Sequence, residues 1–480
     1  MNPTTQDKDR ATQLGTEPVG KLLLKFSLPA MVGMIVQSLY NMVDRIFIGQ
    51  GVGPLGIAGA TVGFPFMLIS MAFGMLIGIG GNSLVSISLG EGKRDYAEKV
   101  LGNSFTLMII IMGGITALGL TFLEPILRLA GASDSILPYA TDYMSIILWG
   151  SVFNGIGFGL NNFIRGEGNP KVAMLTMLLG AVLNIILDPI FIFVFDMGIA
   201  GAAWATVISQ TVSATWVVAY YLRGKSSLKL RKKNLVIEPK VMLRIFAIGS
   251  APFAMQFAAS IQNTILNSQL QTYGGDQAIS AMGIMYSVAM LILMPLFGLN
   301  QGSQPIIGYN YGAKQYGRVM KTVQLAMIAA TAIVFVGWLI TRFFPGVIVA
   351  IFGGGDPGFI ALASRAMFLF FFMYPLIGFQ IIASNYFQAT GKPKQAMFLS
   401  LSRQVVFLIP SLFILPRFLG LDGVYSAGPT ADFLSALFTG VLFLREAKKL
   451  RAMEHAMDQV KISGVDDTSL PTGPHVLPGK

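Results

Sequence analysis

The chain has 480 residues, of which 54% are hydrophobic and only 12% charged, with a formal net charge of +11, no cysteine and two histidines. So little charge cannot cover the surface of a water-soluble protein of this length, and the missing cysteine excludes a disulfide scaffold and any Cys-ligated zinc or iron–sulfur centre. Both histidines, His455 and His475, lie in the C-terminal tail, which leaves none for a buried site.

Residues 1–20 are polar and show no cleavable-signal pattern, so the N-terminus is expected to be retained. Long runs without any Asp, Glu, Lys or Arg then follow, among them 46–90, 143–164, 245–275 and 277–313. A helix needs about 20 apolar residues to cross the hydrocarbon of a bilayer. The runs predict twelve helices, at about 23–48, 58–88, 103–127, 138–162, 172–194, 199–222, 245–270, 278–306, 320–342, 361–387, 395–416 and 423–444. No segment has the short alternation of a membrane barrel strand. The fold class is therefore all-α integral membrane. The tail, 445–480, reads as disordered from about 454, and its last dozen residues have the composition of an added tag.

With the N-terminus inside, 28 of the 34 basic residues fall on one side of the membrane. Eight of these are in 223–244, between Arg223 and Arg244. The positive-inside rule then places both termini in the cytoplasm and the protein in the plasma membrane, the inner membrane where a cell has two. The cluster reads as a topology anchor beside anionic lipid, not as a nucleic-acid site.

The chain also repeats itself at a shift of 222–223 residues. Pro29 falls on Pro252, Gly80 on Gly302, Gly90 on Gly312, and Gly168-Asn169-Pro170-Lys171 on Gly391-Lys392-Pro393-Lys394. An even number of helices separates equivalent points, so the halves point the same way and are related by an axis along the membrane normal. The expected organisation is a first lobe at 21–222, a basic linker at 223–244 and a second lobe at 245–444, with a site between or inside the lobes.

Three acids lie well within predicted spans: Asp44, Asp188 and Asp432. A charge at mid-helix costs at least about 2.5–3.5 kcal/mol on insertion scales, so such residues usually face a cavity and have a function. A buried ion pair is the bland alternative, with Arg45 and Arg403 as the available partners. In the fifth helix Asn184 and Asp188 are four apart, hence on one face, and Pro189 follows; Thr206 in the sixth is another oxygen within reach. Pro189 removes a backbone donor and bends its helix, which frees carbonyl oxygens beside the carboxylate. Oxygens of this kind suit Na⁺, or the carboxyl takes a proton. Gly428-Pro429 sits in the same way just before Asp432. There is no HExxH and no P-loop, so the chain is not by itself an ATP-driven pump. No cofactor is expected; an H⁺ or Na⁺ gradient is the remaining source of energy.

Twelve helices in two repeats, Pro29 and Asp44 in the first helix, the run Leu183-Asn184-Ile185-Ile186-Leu187-Asp188-Pro189 and Gly198-x-x-Gly201-Ala202-Ala203 resemble the multidrug and toxic compound extrusion (MATE) transporters. The paired GNPK and ATGKPK segments add to this. The resemblance covers about 20–445 and is nearest to the MepA-like and DinF-like bacterial branches. NorM-like members carry second-lobe acids in helices 7 and 10; here those helices have none, and the second-lobe acid is Asp432. The resemblance implies two six-helix bundles around a V-shaped central cavity, rocking-bundle alternating access, and export of lipophilic, often cationic, small-molecule drugs in exchange for H⁺ or Na⁺. It makes Asp44, Asn184, Asp188 and Thr206 the cation site and Asp432 a candidate for recognising substrate charge. Pro29, Pro189 and Pro429 are the expected bending points. The expected partners are drugs and membrane lipid, with the chain a monomer. The rival readings are a flippase for a lipid-linked oligosaccharide, an intramembrane enzyme, and a channel or scaffold.

Overall fold

Inside hydrocarbon no water can pair a free backbone N–H or C=O, so apolar runs of this length close their hydrogen bonds within helices. The protein is described here from a computed structural model, which covers residues 11–223, 226–353 and 357–463. Helix follows helix with short turns between, and among the described residues there is no strand.

The first six crossings are α1 (Val19–Gly51), α2 (Leu55–Gly90), α3 (Arg94–Thr121), α4 (Leu137–Gly166), α5 (Pro170–Val194) and α6 (Gly198–Leu222). The seventh and eighth are a single helical run, Pro239–Gly312, that reverses at Gly275. Its φ of 62° and ψ of −158° there are open to glycine and hostile to other residues. The two arms are α7 (239–274) and α8 (276–312). The remainder are α9 (Tyr316–Phe343), α10 (Pro357–Phe370 and Pro375–Ala389, bent by 45°), α11 (Pro393–Leu419) and α12 (Leu421–Met457). The twelve predicted helices are all present, in two six-helix bundles.

Three details depart from the sequence reading. The tenth helix is broken at 371–374 instead of continuous. The fifth and eleventh widen into π-helical turns at Ile190–Val194 and Ser402–Leu408. The last helix does not stop near 444 or give way to disorder at 454; it runs to Ser463, because Arg445, Glu446, Lys448 and Lys449 continue it as a polar helix, with Glu446 paired to Lys392. Residues 464–480 and 1–10 lie outside the described residues. The helices continue past Pro29 and Pro429, although neither proline has an N–H to donate.

The bundles meet in the halves of their helices nearest the face that carries 223–244, the basic face. Glycines set the distance. A Cβ on Gly80 would lie 2.3 Å from the Ile245 carbonyl oxygen, and one on Gly249 would lie 1.8 Å from that of Leu76. The repeat-related contact is Gly302 against Ser27, at 2.6 Å from its backbone nitrogen. Gln304 adds a hydrogen bond to Ser83 of the other bundle at 2.9 Å. The N-terminal segment lies across the seam. Gln13 donates to the Gly168 carbonyl at 2.7 Å, while Asn310 and Arg318 of the second bundle donate to the Leu14 carbonyl at 2.9 and 3.0 Å. Leu14 is fully buried.

The basic linker is also packed down. Buried Glu98 accepts Arg231 at 2.8 Å and the Lys229 N–H at 3.2 Å, and buried Glu167 accepts the Leu228 N–H at 3.2 Å together with the hydroxyls of Tyr220 and Ser226. On the opposite face Arg128 joins Glu124 and Asp134, each at 2.9 Å. Large apolar side chains such as Trp149, Leu291 and Phe418 stay on the outside, where lipid receives them.

Candidate functional site

The four oxygen-bearing residues singled out in the first bundle come together. Asn184 and Asp188 share a face of α5 because they are four apart, and the Asn184 amide donates to Asp188 Oδ1 at 3.1 Å. The same amide reaches Thr206 Oγ1 on α6 at 3.3 Å. Asp44, from α1, brings its carboxyl beside that of Asp188. Two carboxylates side by side repel one another unless a proton or a cation lies between them.

Asp188 and Asn184 are buried, whereas Asp44 is half-buried. Three of their oxygens, Asp44 Oδ1, Asn184 Oδ1 and Asp188 Oδ2, are shut from solvent and accept no donor N–H or O–H among the described residues. Acceptors left bare in a protein interior are costly; a proton or a hard cation satisfies them. Arg45 is near enough for its charge to act on Asp44, but makes no ion pair with it among the described residues and is exposed. The bland reading of Asp44 as half of a salt bridge therefore does not hold.

Two tyrosines complete the site, and the sequence reading omits both. Tyr40 is one helical turn before Asp44; Tyr143 of α4 is buried within the reach of both carboxyl charges. The i to i+4 spacing makes Tyr40 legible; nothing local marks Tyr143.

Pro189 ends the α-helical geometry of α5, and the π turn Ile190–Val194 follows it directly. A π turn often marks a functional position. Residues Asn41, Arg45, Asn263 and Asn267, on α1 and α7, are exposed in mid-chain apolar spans. Tyr40, Asp44 and Arg403 are partly accessible and Tyr286 is exposed, and with these asparagines they form the polar surface of the central cavity. The seam is closed at the basic face.

Asp432 is not part of that cluster. It is buried in the second bundle, where Arg403 Nε donates to its Oδ1 and Gln380 donates to its backbone carbonyl. Two other recesses stand apart from the carboxyls. One is a cleft of about 460 Å³ on the basic face, lined by Glu91, Lys93, Tyr96 and Arg244; the other is a lipid-side groove of about 330 Å³ between Leu175 and Trp216.

The structure is that of a multi-pass membrane protein of two six-helix bundles, with paired carboxyls in the first. The chain belongs to the MatE family, whose model matches residues 29–190 and 252–414, one stretch per bundle. It is 30% identical over 406 residues to the multidrug export protein MepA of Staphylococcus haemolyticus (strain JCSC1435), which covers 84% of this chain and 88% of that protein. It is 31% identical over 427 residues to MepA of Staphylococcus aureus (strain MRSA252), covering 88% and 92%. Among solved structures, the MATE multidrug transporter DinF-BH is 43% identical with a TM-score of 0.83, over 90% of this chain and 96% of that one. An outward-facing multidrug resistance MATE family transporter is 25% identical with a TM-score of 0.86, over 92% and 98%. The resemblance read from the sequence is borne out.

Proposed function

We propose that the protein is a secondary multidrug exporter of the cytoplasmic membrane, moving lipophilic and cationic drugs outward in exchange for H⁺ or Na⁺ by alternating access. The relatives named as multidrug export proteins support the substrate class. The basic charge gathered on the face of both termini supports a cytoplasmic position for that face. The lobes 21–222 and 245–444 rock about their glycine-lined seam, tethered by the linker 223–244.

The observation that carries this reading is the adjacent pair Asp44 and Asp188, with its bare oxygens, beside a seam closed toward the basic face. In this outward-open state a cation enters from outside. A proton neutralises the pair, whereas Na⁺ is held by oxygens of Asp44, Asn184, Asp188 and Thr206. Either removes the negative charge that attracts a cationic drug, so the drug leaves outward. Loading also alters the bends at Pro29 and Pro189, and the carrier turns inward, gives its cation to the cytoplasm and reloads. Drug efflux from vesicles with pH and Na⁺ gradients imposed separately tests the scheme. Asp188→Asn protein that exports ethidium at the normal rate under either gradient would falsify it.

A further inference from the structure

The second bundle presents its own polar wall to the cavity. Arg403 lies ten residues from the start of α11 and Asp432 eleven from the start of α12, about 15 Å along each helix, hence near the middle of a hydrocarbon layer about 30 Å thick. Arg403 gives only Nε to Asp432; its Nη1 and Nη2 edge makes no hydrogen bond among the described residues. The side chain is 35% accessible and lies beside Tyr286, which reaches the exposed Asn263 of α7, so that edge shares the polar surface of the cavity. Tyr286 stands close by, its hydroxyl donating to Asn263 of α7 at 2.9 Å. The Tyr374 hydroxyl is buried, unpartnered among the described residues, and near both charges. Backbone irregularities converge here: Arg403 is in the π turn of α11, and Tyr374 is at the break in α10.

Neutralising Asp432 does not by itself account for this arrangement, since an apolar pair of similar volume would serve stability as well. A guanidinium with one edge held and the other free offers two parallel N–H donors, the geometry that a carboxylate accepts. We infer that Arg403 is a substrate-binding residue that takes the carboxylate of zwitterionic amphiphiles, while their cationic part faces the first bundle. The inference rests on the exporter reading. It adds that the cavity is two-signed, and that Asp432 serves by holding Arg403 in place.

The test uses the full-length protein with a cationic rhodamine ethyl ester and its hydrolysed free acid, the same ring system with a carboxylate. Binding is read by fluorescence anisotropy and transport in proteoliposomes. The double substitution Arg403→Gln with Asp432→Asn leaves no unpaired charge buried. It is expected to lower the acid-to-ester affinity ratio about tenfold, the scale of one charged hydrogen-bonded contact. Arg403→Lys, which keeps the ion pair and loses the fork, lowers the ratio less. A ratio within twofold of wild type in both variants overturns the proposal, as does wild-type protein that moves the ester but does not bind the acid. Wild-type protein that moves neither dye under either gradient overturns the exporter reading and this inference with it.

Discussion

Asp44 and Asp188, separated by 144 positions in the chain, come side by side between α1 and α5. Carboxyl groups this close interact strongly, so protons bind to and leave the pair and not either residue alone. Asp188→Asn or Asp44→Asn leaves an amide that cannot titrate. Gradient-driven efflux is expected to fall at least tenfold in either variant, with drug binding to detergent-solubilised protein retained. For the wild type the sign with pH follows from competition: fewer protons on the pair means more negative charge, so affinity for a cationic drug rises with pH. In both Asn variants the rise is expected to flatten. Equilibrium binding of ethidium across a pH series reads both effects.

Thr206 separates the two coupling ions. Its hydroxyl accepts the Asn184 amide at 3.3 Å and is an oxygen a sodium ion would use, whereas a proton needs only the carboxyls. Thr206→Val is expected to abolish Na⁺-driven efflux if Na⁺ is the coupling ion and to leave H⁺-driven efflux within about threefold if it is H⁺. The lost hydrogen bond costs about 1 kcal/mol of stability, seen as a small drop in melting temperature.

Gly249 and Gly80 let α7 and α2 touch backbone to backbone. At 1.8 Å from the Leu76 carbonyl oxygen, a Cβ at position 249 does not fit. Gly249→Val is therefore expected to hold the seam open at the basic face. The chain has no cysteine, so one introduced at Ser27 reports alone. Its labelling by a membrane-impermeant maleimide from that face should rise several-fold in the Gly249→Val background. Unchanged labelling would show that the seam is not the gate.

The N-terminal segment is a second tie across the same seam. Gln13 holds Gly168 of the first bundle, and Asn310 and Arg318 of the second hold Leu14. Removing residues 1–17 breaks these bonds and exposes the pocket of Leu14, at a cost of about 2–3 kcal/mol in apolar burial and hydrogen bonding. The expected outcome is faster opening at the basic face, read as increased labelling at Ser27→Cys without loss of folded protein.

The linker contributes stability. Glu167→Ala removes the carboxylate that accepts the Tyr220 and Ser226 hydroxyls and shares the Leu228 N–H with Ser226 Oγ, a loss of about 1–3 kcal/mol. Thermal unfolding in detergent and limited proteolysis within 226–238 measure it.

Much of this protein was determined by its sequence alone. Charge-free runs of bilayer length dictate helices, because hydrocarbon permits little else, and a constant repeat shift dictates two like bundles. The cost of a charge in a span marks Asp44, Asp188 and Asp432, and helical periodicity puts Asn184 beside Asp188. What the tertiary structure decided is which marked charges meet. Periodicity acts within one helix and cannot say that α1 delivers Asp44 to Asp188 while Arg403 takes Asp432. It does not find Tyr143, which has no local signature, nor the π turn at Arg403. The tail beyond 444 and the N-terminal segment look featureless in sequence for the same reason: their partners Lys392, Gly168, Asn310 and Arg318 are distant in the chain, and only packing brings them into reach.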